Sequence, residues 1–288
     1  MKTNNLLTII TLSTFLVLFS CKKDKQDEVD SSTQSSKDNS TAENLFLDIK
    51  KVVEEAAEDE GQSAKFGNNG KAYTFGNCVT VTTVPAWGNP TFPKVMTIDF
   101  GPTNCQGNYG VNRRGQIIVT LTGRFRDAGS VLTVQPQGLY INGIKVEGTK
   151  TITNNGYNPN NNPEFVVQVS NGLITYTDNT TLTWSSTRIN EWIAGDSTNL
   201  FTNGIAGVCD DVYLISGSAS GVNRNGLAYS VNITSPLRKE ICCRWVKSGT
   251  LDIIPQGFAT RTVDFGAGAC DANATVTING NVYNVIMW

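Results

Sequence analysis

TIDFGPTNC, Thr97 to Cys105, returns as TVDFGAGAC, Thr262 to Cys270. Each copy alternates large apolar with polar residues, halts at Asp-Phe-Gly, and reaches a cysteine four residues after the glycine. Working outward with the same shift, Cys78 falls on Cys243 and Gly115 on Gly280, so both copies keep the spacing C-x26-C. A further echo sets Gly110-Val-Asn-Arg-Arg-Gly115 against Gly221-Val-Asn-Arg-Asn-Gly226. Two cysteines, a tripeptide and a glycine held in one register argue for duplication. Each unit reads as a strand, a connection, a second strand ending in Asp-Phe-Gly, then a cysteine turn and a hairpin, because alternation stopped by turn residues marks a half-buried strand.

The same period continues between the copies. Cys78–Val84, Gln116–Thr122 and Leu227–Ile233 alternate or carry β-branched runs. Between such runs stand Asn142-Gly143, Asn155-Gly156, Asn171-Gly172, Asn225-Gly226 and Asn279-Gly280. Asn-Gly accepts positive φ at both positions and so favours tight hairpins. The spacing predicts roughly a dozen strands. Residues 73–288 are thus expected to form an all-β domain, an elongated antiparallel sheet or sandwich of repeated hairpins, with the internal repeat at 78–120 and 243–288.

The chain has 288 residues, a formal net charge of -2 and no histidine. Without a basic field it has no means of holding nucleic acid by counterion release. Lacking histidine, it has neither the usual neutral-pH general base nor the commonest zinc ligand. No catalytic set, cofactor or metal is expected, although carboxylate-only chemistry stays open.

The N-terminus reads as an address. Residues 1–20 have a basic Lys2, an apolar stretch from Leu6 to Phe19 and a small Ser20, the pattern of a secretory signal peptide. Leu18-Phe19-Ser20-Cys21 resembles the lipobox of bacterial lipoproteins. That resemblance implies cleavage before Cys21, lipid attachment to its sulfur, and membrane attachment through the acyl chains. Residues 21–41 are charged and Ser-rich, which predicts a flexible tether. Their start, Lys22 to Glu28, is similar to the signals that carry Bacteroidota lipoproteins to the outer cell surface. The implied location is the outer membrane facing the exterior, with the periplasmic face as alternative. Over 42–60, Leu45, Ile49, Val52, Val53 and Ala56 recur at helical spacing, predicting a short amphipathic helix that packs loosely or stays mobile.

Removing Cys21 leaves Cys78, Cys105, Cys209, Cys242, Cys243 and Cys270, an even number that suits a disulfide framework in an exported domain. If the units match, Cys78 pairs with Cys105 and Cys243 with Cys270, leaving Cys209 for Cys242. On a strand, Cys242 and Cys243 would point to opposite faces.

Among functional candidates, Trp184, Arg188 and Trp192 would share one face of a straight strand with Leu182, where two indoles flanking a guanidinium could stack on a sugar or hold a peptide. Burial of the same residues in the core is the plainer expectation. Asp99 and Asp264 are expected to cap turns. Together with Glu191, Asp210 and Asp211 they form the pool from which a carbohydrate-active enzyme would draw an acid and a base. Asp210-Asp211 and the loop Asn154–Glu164 offer oxygen ligands but lack the calcium-loop spacing.

Val146–Gly156, Thr183–Arg188 with Glu191-Trp192, Asp210–Gly217, Ile233–Arg238 and Val263-Asp-Phe-Gly, in that order, resemble a family of predicted Bacteroidota lipoproteins over most of residues 75–288. The resemblance implies class and location and carries no activity. The expected function is a non-enzymatic binding, adhesion or structural module of the cell envelope, with glycan or envelope protein as partner.

Overall fold

The computed structural model describes residues 31–66 and 73–287. The signal peptide, Cys21 and the first part of the tether lie outside the described residues. The chain order is a long helix α1 (Gln34–Phe66), then β1 (Thr80–Val84), β2 (Lys94–Asp99), β3 (Cys105–Gln106), β4 (Asn112–Leu121), β5 (Val131–Ile141), β6 (Ile144–Tyr157), β7 (Pro163–Thr175) and β8 (Thr181–Ala194). Two single-turn helices, α2 (Leu200–Asn203) and α3 (Ala206–Cys209), precede β9 (Val212–Val222), β10 (Ala228–Glu240), β11 (Ser248–Pro255), β12 (Arg261–Ala267), β13 (Asn273–Ile278) and β14 (Asn281–Ile286). All strands join one antiparallel sheet in chain order, with only the short β3 standing off the path beside β4. The expected all-β antiparallel fold is present, as a single meander rather than a sandwich.

Two of the five Asn-Gly pairs do not make hairpins. Asn142-Gly143 and Asn279-Gly280 turn the chain with both residues at positive φ. Asn155-Gly156 lies inside β6 and Asn171-Gly172 inside β7, each at a register shift. A bulge uses the same left-handed backbone as a turn, so the dipeptide signals the conformation and not its context. Bulges also bend the sheet. At Gly115 (φ 92°) a Cβ would lie 2.1 Å from the carbonyl oxygen of Gly138 on β5, and at Gly148 (φ 124°) one would lie 2.9 Å from Asn171 of β7. Close backbone approach at such points lets the strands curve.

What the sheet curves around is α1. The helix starts at Gln34 and ends at Phe66, correcting both the 42–60 boundaries and the loose packing expected of it. Its apolar stripe, including Leu45, Ile49, Val52, Val53 and Ala56, is buried as the spacing required. Its polar side is buried too, with Asp38 0 % exposed, so residues 34–41 are docked structure and not tether. The reason lies on the strands. Arg224, in the β9–β10 turn, donates to Asp38 at 3.0 Å. Arg188 on β8 reaches Glu43 at 2.6 Å, Arg113 on β4 reaches Asp48 at 2.9 Å, and Arg126 reaches Glu58 at 2.6 Å. Lys150 on β6 donates to the Phe46 carbonyl, and Arg261 on β12 to that of Ser32. Partners drawn from β4 to β12 require a sheet bent around the helix. For Arg188–Glu43, buried on both sides, removing one member costs about 3–5 kcal/mol.

All three expected disulfides are present: Cys78–Cys105, Cys209–Cys242 and Cys243–Cys270, with Cα separations of 5.8, 4.8 and 5.7 Å. The repeat holds between its cysteines. β1 pairs β2 as β11 pairs β12, and Asp99 and Asp264 each accept the backbone N–H two residues on, from Gly101 at 2.7 Å and Gly266 at 2.8 Å. Past the second cysteine the copies part. Gly115 lies within β4 whereas Gly280 turns β13 into β14, and Gly221–Gly226 spans the end of β9 and a turn. Cys242 and Cys243 follow β10 in a turn instead of sharing a strand.

Candidate functional site

β8 buries every second residue over Leu182, Trp184, Ser186, Arg188, Asn190 and Trp192. Trp184, Arg188 and Trp192 therefore do share a face, and each is only 2–3 % exposed because that face lies under α1, with Trp192 also stacked against Tyr213. The Trp184 indole donates to Asn39 at 3.0 Å, Arg188 to Glu43, and the Trp192 indole to Asp211 at 3.2 Å. This corrects their candidacy as an open binding platform: the helix occupies the surface a sugar would need.

The row is not fully satisfied. Ser186 Oγ, Arg188 Nη1 and Asn190 Oδ1 are buried without a hydrogen-bond partner. All three residues line a void of about 10 Å³ beneath α1, room for about one water molecule. Asn190, 2 % exposed, also lines a cavity of about 250 Å³. An unpaired buried amide oxygen carries a desolvation penalty of about 1–3 kcal/mol, and Asn190 lines both voids.

This cavity opens between the middle of α1 and the ends of β4, β5, β6, β9 and β10. Its floor holds Asn190, Tyr213 and Ile215, all buried, and its rim holds the exposed Asn108, Asn142 and Arg244. Leu47, Phe75, Ile141, Ile144 and Ile241 give apolar walls. The disulfides of Cys242 and Cys243 pin the rim segment to α3 and to Cys270.

The charges lining it are unequal. Lys50, Lys51, Arg113, Lys239 and Arg244 face only Asp48 and Glu54. Arg113 is paired with Asp48, and Lys50 with Glu54. Lys239 Nζ donates to the carbonyls of Cys243, Arg244 and Trp245 at 2.5, 2.7 and 3.4 Å. Burial pushes Lys239 down to about 7, and the field of Lys51 adds to this against Asp48. Burial likewise lowers Lys51, with Glu55 and Asp48 opposing.

A smaller void of about 30 Å³ is lined by Glu54, Glu58, Trp192, Asp211 and Tyr213. Burial pushes Asp211 up to about 8, helped by the charges of Glu58 and Glu54. Burial also raises Glu58, against the pull of Arg126, whose guanidinium lies 4.6 Å from the Trp192 ring centre. Of the other carboxylates in the pool, Asp99 and Asp264 cap separate turns. Glu191 accepts from Asn162, Asn158 and Asn160 at 2.8, 2.9 and 3.3 Å, which lowers its pKa. Asp210 accepts from Thr198 at 2.9 Å. Asp211 alone of the five lines the void beside Trp192. Among the described residues no group of three or more His, Cys, Asp or Glu is placed to hold a metal ion.

Sequence reasoning passed over Asn190, Lys239 and Arg244. The signal for Asn190 was available, since a polar row between two tryptophans on a buried face must find partners or make a site. Compared with family models, curated proteins and solved structures, the chain matches none.

Proposed function

We propose that this protein is a lipid-anchored cell-envelope lipoprotein, held at the outer membrane through Cys21 and facing the cell exterior, that binds a small, partly apolar ligand between α1 and the sheet without chemical turnover. The anchoring half rests on the leader and the lipobox-like Leu18–Cys21. The binding half is carried by one observation: buried Asn190, whose amide oxygen has no partner, is among the residues lining a cavity of about 250 Å³. Small-molecule sites combine apolar walls with a few convergent polar groups in clefts of about 300–1,000 Å³. This cavity has that make-up at a volume just below that range.

The anchor is tested by growing cells with an alkyne-tagged fatty acid. Label on the wild-type protein and none on Cys21→Ser is expected, and an unlabelled wild type ends the lipoprotein reading. Protease treatment of intact cells then reports the side. Loss of the protein while a periplasmic control survives is expected for an outward-facing domain, and protection until lysis reassigns it to the periplasm.

A further inference from the structure

We infer that a second copy of this chain docks on the free edge of the sheet, β14 against β14 and antiparallel, in a register centred on Asn284. The inference is independent of the cavity and of the ligand read into it.

The sheet does not close on itself. β1 and β14 end its path, and among the described residues no strand pairs with the far side of β14. A free edge is a template for another strand, and proteins blunt it with charge, proline, a bulge or a cover. Among the described residues β14 has none of these. Asn281-Val-Tyr-Asn-Val-Ile286 contains neither charge nor proline. Its register with β13 runs unbroken from Asn281 to Ile286, whereas every pair from β4–β5 to β11–β12 carries a shift. Val282 and Ile286 lie open, 63 % and 56 % exposed.

Turn geometry fixes which backbone groups face the edge. The two-residue turn Asn279-Gly280, both at positive φ, makes Ile278 and Asn281 a hydrogen-bonded pair. Alternation along the ladder then turns the N–H and C=O of Asn281, Tyr283 and Val285 toward β13. Those of Val282, Asn284 and Ile286 point to the open edge, and the side chains of these three residues share the exposed face.

The three are symmetric about Asn284. Laid antiparallel on itself, the edge sets Val282 opposite Ile286 of the second copy, Asn284 opposite its own counterpart, and Ile286 opposite Val282. Each aliphatic side chain meets an aliphatic one, and the amides meet each other. That is the self-complementarity an isologous two-fold contact demands. About six main-chain hydrogen bonds form across the seam, the source of affinity in strand addition, while the facing side chains set the register. Behind the edge β13 presents Asn273, Thr275 and Thr277 opposite Ile286, Asn284 and Val282, so it brings no charge to the seam.

The experiment is a thiol cross-linking scan of the full-length protein with a short bis-maleimide, read on a denaturing gel beside masses from light scattering. Asn284→Cys is expected to give a two-chain band by itself. Val282→Cys and Ile286→Cys are expected to give little alone and a strong band when mixed. The wild type is expected at the mass of two chains. Val282→Lys, at an exposed position where the fold tolerates charge, is expected to weaken self-association at least about tenfold. A one-chain mass with no band from Asn284→Cys overturns the inference. Equal bands from all three single variants overturn the register and with it the two-fold pairing. Masses rising past two chains overturn it in favour of β14 on β1, a contact that repeats without closing.

Discussion

Asp211 sits half-buried beside the carboxylates of Glu58 and Glu54. Burial and the fields of Glu58 and Glu54 favour its protonated form, and the Trp192 indole contacts its Oδ1. An acid whose folded pKa of about 8 exceeds its unfolded value of about 4 holds an extra proton in the folded state. Its contribution to stability is full below the unfolded value and is lost as pH rises through the folded one. The melting temperature should therefore fall between about pH 5 and 8, and Asp211→Asn should flatten that fall. An unchanged slope in the variant would assign the pH response to another group. At this scale the sequence was legible in part. Period two placed Trp184, Arg188 and Trp192 on one face, but alternation says which residues share a face and is silent on what lies above it. The covering helix, and with it the buried state of all three, had to come from the structure.

Among the elements, α1 was the least readable. Its apolar stripe was plain from Leu45 to Ala56, while Gln34–Thr41 reads as solvated chain because the one neighbour in sequence bonded to Asp38, Gln34, does not account for the burial of Asp38 and Asn39. Their distant partners, Arg224 for Asp38 and Trp184 for Asn39, lie 186 and 145 residues away. Composition-based reasoning counts apolar residues and has no term for distant arginines. Backbone amides from Ala42 to Ala57 should therefore exchange with deuterium as slowly as those of β6 to β8. Exchange as fast as in exposed turns would mean that the helix is undocked in solution. The strands were easier. Alternation located most of them, and the two misread Asn-Gly pairs failed for the reason bulges and turns look alike at the dipeptide level.

For the molecule as a whole, the repeat delivered the disulfide pairing, since matched units left one partner for every cysteine. The cavity could not be read this way. Its walls come from α1, the Thr74-Phe75 segment, β4, the β5–β6 hairpin, β8, β9 and the turn after β10, and no local pattern marks their convergence. The Cys209–Cys242 bridge closes a separation of 33 residues and holds the cavity rim. The loop-entropy account values such a bridge at about 3–4 kcal/mol. The double variant Cys209→Ser/Cys242→Ser should still fold on the two remaining bridges, with its unfolding free energy in denaturant lower by about that amount. A drop near zero would show that the bridge is dispensable to the fold.

The strictly sequential sheet carries a consequence for how the protein comes into being. Each long strand finds its neighbours in the segments made just before and just after it, so the sheet can grow hairpin by hairpin with little loop closure to overcome. The helix cannot. Synthesised ahead of every strand, it waits for Arg113, then Arg188, then Arg224 before its acidic side is covered. The first element of the described chain is the one whose enclosure draws on the latest strands.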